Sequence, residues 1–295
     1  MKFAIELLRE AAQDGKSVLL SPPSVSTALF ALYLAADGKT KQQLKIVLGK
    51  NASGSKIRLY FAKFLSNLDG KVNENYTLEA SNRFCIRQEL LVKKNFNTFL
   101  QLYWGDELFK FHHPNNKLAL IQVPMIETTN VFPYYDGSSV EVVKLPYINC
   151  EIEMVIIRPK IRFGLSKILK KLNTHNLLKY IAEATPRRVA LRIPKFRLKG
   201  KLTLVEILKK IGVTDAFSGK ASFKQLTDIS VLVDNILHAS FIEVNEKGTE
   251  IAASTITLFA DSIQPKFTPF ITDGPFLFLI VKNSKSVLFA GQYAN

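Results

Sequence analysis

The sequence predicts an α+β fold of mixed β-sheets with an N-terminal helical cluster. Three observations carry that prediction. Through about the first seventy residues, apolar side chains recur at helical spacing. From Pro124 onward, alternating and β-branched runs bounded by turn residues take over. Across all 295 residues, 47% of them hydrophobic, Pro and Gly are scattered and no repeat or low-complexity linker separates two halves, so residues 1–295 read as one domain with a sizeable core.

The elements follow in order. Residues 2–13 form an amphipathic helix, interrupted by Glu6, Arg9 and Glu10, rather than a secretory signal. Further helices are expected over 23–36, 40–48 and about 56–68, with Ser24 and Thr40 as N-caps because a hydroxyl there can accept an orphan N–H. The alternating, aromatic run YTLEASNRFCIRQ (76–88) predicts a strand, and 90–103 a helix. Strands are expected over 131–136, 140–145 and 151–158. Helices follow over about 163–171 and 175–183, then a strand over 188–198 and a short helix over 203–211. Strands at 231–246, 276–283 and 286–292 complete the chain.

Composition narrows the function. No run of 18 apolar residues offers a membrane span. Two cysteines, Cys85 and Cys150, are too few for a disulfide framework and fit a reducing compartment, so the chain reads as cytoplasmic and the sequons at Asn51 and Asn75 as chance matches. Cys85 lies in a strand-like run and reads as a structural thiol. The four histidines, His112, His113, His175 and His238, form no metal-ligand spacing. No HExxH, paired CxxC, GxSxG or phosphate-cradling glycine loop occurs. No metal, cofactor or catalytic residue is expected, and the chain does not read as an enzyme.

The net charge of +15 is concentrated. Between Arg158 and Lys210 stand sixteen Lys or Arg and two acids, Glu183 and Glu206. Such a segment suits weak, sequence-independent binding of polyanions, and equally a solvated basic face; no aromatic-interleaved RNA motif or zinc-finger spacing accompanies it.

One stretch asks for another explanation. Residues 245–262, NEKGTEIAASTITLFADS, open with charge and a glycine, run through small and β-branched residues, and close on an acid. From Thr249 to Phe259 there is no Gly or Pro, so the run has the composition of a strand. Its polar residues and its place between two strands are those of an exposed loop. A loop able to become a strand is the expectation, with an ordinary strand connection as the plain alternative.

The segments VLLSPPSVSTALFALYLAADGKTKQQL (18–44), LPYINCEIEMVIIRP (145–159), LRIPKFRLKGKLTLVEILKKIGVTDAF (191–217), LHASFIEVNEKGTEIAAST (237–255) and GPFLFLIVKNSKSVLFAGQY (274–293) together resemble the serpins, in the family's order over most of the chain. The likeness is greatest to the short intracellular poxvirus members, in which an Ala-rich hinge is followed by Leu-Val-Ala-Asp.

The resemblance implies a serpin-like fold with an exposed reactive-centre loop and a monomeric protease inhibitor. It is one that would act in a host cell's cytoplasm, on a caspase-like or granzyme B-like protease, were the chain viral. It further implies a hinge at Glu246, Gly248, Thr249, Glu250, Ile251, Ala252 and Ala253. The bait tetrapeptide is Leu258-Phe259-Ala260-Asp261, with attack at Asp261–Ser262. A general alignment counted from Gly248 moves the bond to Ser262–Ile263, and the acidic bait favours Asp261. Ser21, Ser24 and His238 resemble the shutter cluster, and Lys195 with Glu246 the pair where insertion begins. Departures are also visible. Between 108–116 and 123–130 the helix that covers the central sheet, a central strand and a Trp-containing strand have no counterpart, so sheet A is expected to be reduced. Ile251 stands where the family's hinge usually has Ala.

Overall fold

The computed structural model describes residues 1–13, 15–66, 91–96, 98, 125–147, 151–161, 164–244 and 267–294. These fall into two compact units. The first holds Met1–Pro22, Leu120–Lys201 and Ala239–Asn295; the second holds Pro23–Ala119 and Leu202–His238.

The first unit is built on an eight-stranded sheet. Its strands are β1 (Val18–Leu20), β2 (Met125–Asp136), β3 (Val140–Pro146), β4 (Ile152–Pro159), β5 (Thr185–Pro194), β8 (Thr268–Ile271), β9 (Phe276–Lys282) and β10 (Ser286–Tyr293), in the spatial order β1-β10-β9-β4-β3-β2-β5-β8. All pairs are antiparallel except β5–β8. β4 and β9 lie centrally and are buried along nearly their whole length, which is why IEMVIIRP and FLFLIVK read as continuous apolar runs. Asn283 and Ser284, both at positive φ, make the two-residue turn between β9 and β10, closed by the Lys285 N–H to the Lys282 carbonyl at 3.1 Å. Two left-handed residues match the right-handed twist of the flanking strands. Ser284 stands where glycine is usual, and its hydroxyl donates to Glu153 at 2.8 Å, which in turn pairs with Lys144 at 2.9 Å.

Helix α1 (Lys2–Ala11) buries Ala4, Ile5, Leu7 and Leu8 on one face. Arg9 donates to the Leu169 and Leu172 carbonyls at the end of helix α5 (Leu165–Lys171), where orphan carbonyls need donors. Helix α6 (Thr174–Ala182) is capped by Asn173, whose side chain accepts from the Asn176 N–H at 2.8 Å.

The second unit carries helices α2 (Pro22–Ala35), α3 (Gly38–Gly49), α4 (Gly54–Ser66) and α7 (Val205–Lys210). Every residue from Leu29 to Ala36 is buried, so α2 is enclosed on all sides. Phe30 of α2 stacks on Phe61 of α4 with ring centroids 4.3 Å apart. Gln43 of α3 accepts from the Thr214 and Asp215 N–H groups at 2.9 and 2.8 Å and fastens the following turn.

Several expectations change. Helix α2 starts at Pro22, whose fixed φ suits the first helical position, so Ser24 stands in the first turn and is not the N-cap. The N-cap of α3 is Asp37, and Thr40 lies within the helix, accepting from the Ser222 N–H at 3.0 Å. The run expected as one strand over 188–198 is two, β5 and β6 (Phe196–Thr203), parted at Lys195. The strand expected over 231–246 narrows, among the described residues, to β7 (Leu237–Val244). The strand over 76–88, most of the helix over 90–103, and Cys85, Cys150, His112 and His113 lie outside the described residues.

Candidate functional site

The strand-forming loop read from the sequence is framed by its two stems. β7 ends at Val244 and β8 (Thr268–Ile271) begins at Thr268, on either side of that segment. The reactive bond Asp261–Ser262, the bait residues Leu258, Phe259 and Ala260, and the hinge residues Glu246, Gly248, Thr249, Glu250, Ile251, Ala252 and Ala253 lie outside the described residues.

The first stem belongs to a two-stranded sheet, β6–β7. Arg197 pairs with Glu243 at 2.8 Å at one end, and the Leu204 N–H donates to the Ile236 carbonyl at 2.8 Å just beyond the other; the strands therefore run antiparallel. Glu243 holds the Arg197 guanidinium's pKa above its usual range by hydrogen bonding and charge. Phe196 anchors β6 on the large sheet, within an aromatic cluster. Its ring centroid is 4.9 Å from that of Tyr293 and 5.2 Å from that of Phe278.

Gly200 marks where β6 comes closest to β1. A Cβ there would stand 2.5 Å from Ser240 Oγ and 2.7 Å from the Leu19 carbonyl oxygen. That space is filled by a hydrogen bond, Ser240 Oγ–H to the Leu19 oxygen at 2.9 Å.

The second stem is a four-residue edge strand paired to β5 through Val189 to Arg192. Arg158 fastens it: the guanidinium lies 5.2 Å from the Phe270 ring centroid and donates to the Ile271 carbonyl at 3.2 Å. Arg158 is held by Glu141, which also accepts from the Tyr134 hydroxyl. Burial, and then Glu141, push the Tyr134 hydroxyl's pKa well above its usual value. The Thr272 N–H donates to the Arg192 carbonyl at 3.0 Å and closes the stem.

The other residues singled out are placed as follows. Ser21 is half-buried just before α2, Ser24 is half-buried in its first turn, and His238 is buried on β7, with 5% of its surface exposed. Each of the three has a partner. Desolvation holds the His238 imidazole's pKa below its ordinary value, which favours the neutral ring. Lys195, half-buried at the break between β5 and β6, also has a partner, while Glu246 lies outside the described residues. The Arg197–Glu243 pair, Gly200, Ser240 and Arg158 were not singled out by sequence; only the cross-strand charge pair left a readable trace. Among the described residues, no group of His, Cys, Asp or Glu is placed to hold a metal, and no helix is long and apolar enough to cross a membrane.

The sequence pattern of the family described as Serpin (serine protease inhibitor) matches residues 1–119 and 109–295. The chain is a serpin. The two matched segments overlap at 109–119, so the family pattern is interrupted there. Serine proteinase inhibitor 2 of Cowpox virus (strain Brighton Red) is 26% identical to this serpin over 341 residues, covering 99% of each chain. An alignment of 341 residues against a chain of 295 leaves at least 46 positions of that relative without a counterpart (341 less 295). Serpin B6 of Pongo abelii is 26% identical over 368 residues, covering 99% of this chain and 97% of the relative. The crystal structure of uncleaved ovalbumin superposes with a TM-score of 0.86 at 17% identity, covering 99% of this chain and 97% of that one. The fold is therefore the serpin fold, in which the described residues of β6 and β7 form a separate two-stranded sheet.

Proposed function

We propose that this serpin is a single-domain, monomeric suicide substrate of Asp-specific proteases of the caspase and granzyme B kind, cut at Asp261–Ser262. We read it as a viral protein of the host-cell cytoplasm that restrains apoptosis and inflammation. The observation that carries this is Leu258-Phe259-Ala260-Asp261, an acidic bait between a strand that ends at Val244 and one that begins at Thr268. The poxvirus relative's name, serine proteinase inhibitor 2, supports it.

The protease nucleophile, a Cys Sγ or Ser Oγ, adds to the Asp261 carbonyl. The Asp261–Ser262 C–N bond breaks, the Ser262 amine leaves with a proton, and a thioester or ester joins enzyme to loop. Residues Thr249 to Asp261 then add as a strand beside β7 and carry the enzyme with them; serpin loop insertion is itself a known instance of strand addition and strain release. About ten ladder bonds at roughly 0.5–1.5 kcal/mol each give on the order of ten kcal/mol, comparable to the whole stability of a protease domain.

A second reading has its own support. The family pattern is interrupted at 109–119, close to where the resemblance leaves a central strand without a counterpart, between 108–116 and 123–130, and a loop without that neighbour inserts weakly. A non-inhibitory binding protein is the result. The basic segment 158–210 adds weak polyanion binding to either reading.

Incubation with caspase-1 or granzyme B decides between them. An SDS-stable adduct, with a released fragment beginning at Ser262, is expected. A fragment beginning at Ile263 moves the bond by one residue. Complete cleavage with no adduct establishes the second reading.

A further inference from the structure

The basic residues of 158–210 are not equivalent. Arg158, Lys160, Lys179, Arg192, Arg197 and Lys209 each lie against a carboxylate. Lys199 and Lys201 have no ion-pair partner among the described residues, and both are exposed. Together with Arg197 they occupy alternate positions of β6, and the burial pattern from Arg197 to Lys201 puts all three on one open face. Side chains two apart on a strand stand roughly 6.8 Å from one another.

Across the sheet the Arg197–Glu243 pair sets the register. Two residues further along, Phe241 of β7 lies beside Lys199 with 51% of its surface exposed, and the exposed Ala239 lies beside Lys201. Glu243 is the single acid on either strand, and Arg197 neutralises it.

We propose that this face binds single-stranded nucleic acid. The inference rests on the polyanion reading above and replaces its diffuse basic segment with one surface. An extended single strand offers a phosphate and a base ring at every nucleotide. A row of cations beside an exposed aromatic meets both, the lysines taking phosphates and Phe241 taking a base in a stack. A sulfated polysaccharide or an acidic peptide engages the cations but leaves Phe241 without a stacking partner. Recognition through charge and stacking carries no base-edge readout, so binding is indifferent to sequence.

The test is fluorescence anisotropy of the full chain with a labelled twelve-nucleotide oligo-dT, titrated between 50 and 200 mM salt. With two or three phosphates engaged, log Kobs falls against log salt with a slope of about −1.4 to −2.1. Lys199→Gln/Lys201→Gln weakens binding about tenfold or more and brings the slope to between about 0 and −0.7. Phe241→Ala weakens it about fivefold or more with the slope unchanged, because stacking releases no counterions. Lys170→Gln/Lys171→Gln on α5 removes the same charge elsewhere and leaves affinity nearly unchanged. Equal losses from the two lysine pairs return the binding to the diffuse basic segment and overturn the proposal. So does an unaffected Phe241→Ala, a heparin fragment that binds as tightly as the oligonucleotide, or an absence of binding at 50 mM salt.

Discussion

Gly200→Ala is expected to destabilise the fold by about 2 kcal/mol, and the figure can be built from the contacts. The new Cβ meets the Leu19 carbonyl oxygen at 2.7 Å and Ser240 Oγ at 2.5 Å. The hydroxyl can rotate away, but it then loses its 2.9 Å bond to Leu19, worth roughly 0.5–1.5 kcal/mol. The carbonyl belongs to β1 and cannot rotate, so β6 must retreat, an overpacking cost of about 1–3 kcal/mol. Against this, losing glycine's freedom in the unfolded chain returns about 0.4–1 kcal/mol. For a chain of 295 residues the net shifts Tm down by roughly 3 °C. Urea and thermal unfolding of the variant measure it. Gly219→Ala, where an added Cβ has nothing within 4 Å, is the control and should gain only about that 0.4–1 kcal/mol. In Gly200→Ala/Ser240→Ala the shared bond is counted once, so the double variant should be less destabilised than the two single changes together, by about 0.5–1.5 kcal/mol. A Gly200→Ala protein as stable as the parent would refute the close approach of β6 to β1.

Three further outcomes are expected. Thr249→Arg should abolish adduct formation and leave cleavage intact, since a charge buried on insertion costs several kcal/mol; a variant that still traps its protease removes insertion from the mechanism. The His238 imidazole has a folded pKa below its unfolded value of about 6.5, so the folded state favours the neutral ring and the stability it contributes is complete above that value and is lost as pH falls through it. Urea midpoints of His238→Gln should therefore vary less between pH 7.5 and 5 than those of the parent, and parallel profiles would show that the buried ring plays no part. Cleavage after Asp261 should raise Tm by only about 8 °C, because a loop lying as an edge strand gains roughly half of the ten kcal/mol that full insertion supplies. A rise of about 16 °C or more would mean that the loop finds a neighbour on both sides.

Where local pattern and tertiary structure agree, the sequence was easily read. FLFLIVK and the run after Asn283–Ser284 are strands in both, because burial on two faces and a left-handed turn leave a plain trace. Met125–Asn130 was not expected to be strand, since it alternates weakly; six of the ten rungs between β2 and β5 hold it in place. The run 188–198 looked continuous because the break falls at Lys195 alone, between Pro194 of β5 and Phe196 of β6. VLVDNI (231–236) carries β-branched residues but makes no strand: the Val233 N–H is taken by the Ala216 carbonyl, and Leu232 is exposed. The four-residue β8 was too short to show. At the site, the resemblance alone points to the loop, which lies outside the described residues, while His238 stands on β7 within the run expected to be strand. Gly200, Ser240 and Arg158 act through partners far away in sequence: Leu19 lies 181 residues from Gly200 (200 less 19) and 221 from Ser240, and Ile271 lies 113 from Arg158, so only the folded chain brings them together.

The order β1-β10-β9-β4 has a consequence for how the protein is made. Val18 is paired with Gln292 and Leu20 with Ala290, so the first strand waits at the ribosome for a partner from the other end of the chain. Until residues 276–293 emerge, β4 also lacks a neighbour on one side, and two apolar strand edges stand open for the whole of translation. A message cut short before codon 276 therefore yields a chain with a gap in the middle of its main sheet rather than a shortened edge. Such a product is a substrate for chaperones and proteases, and the cell can discard incomplete copies without inspecting the reactive loop.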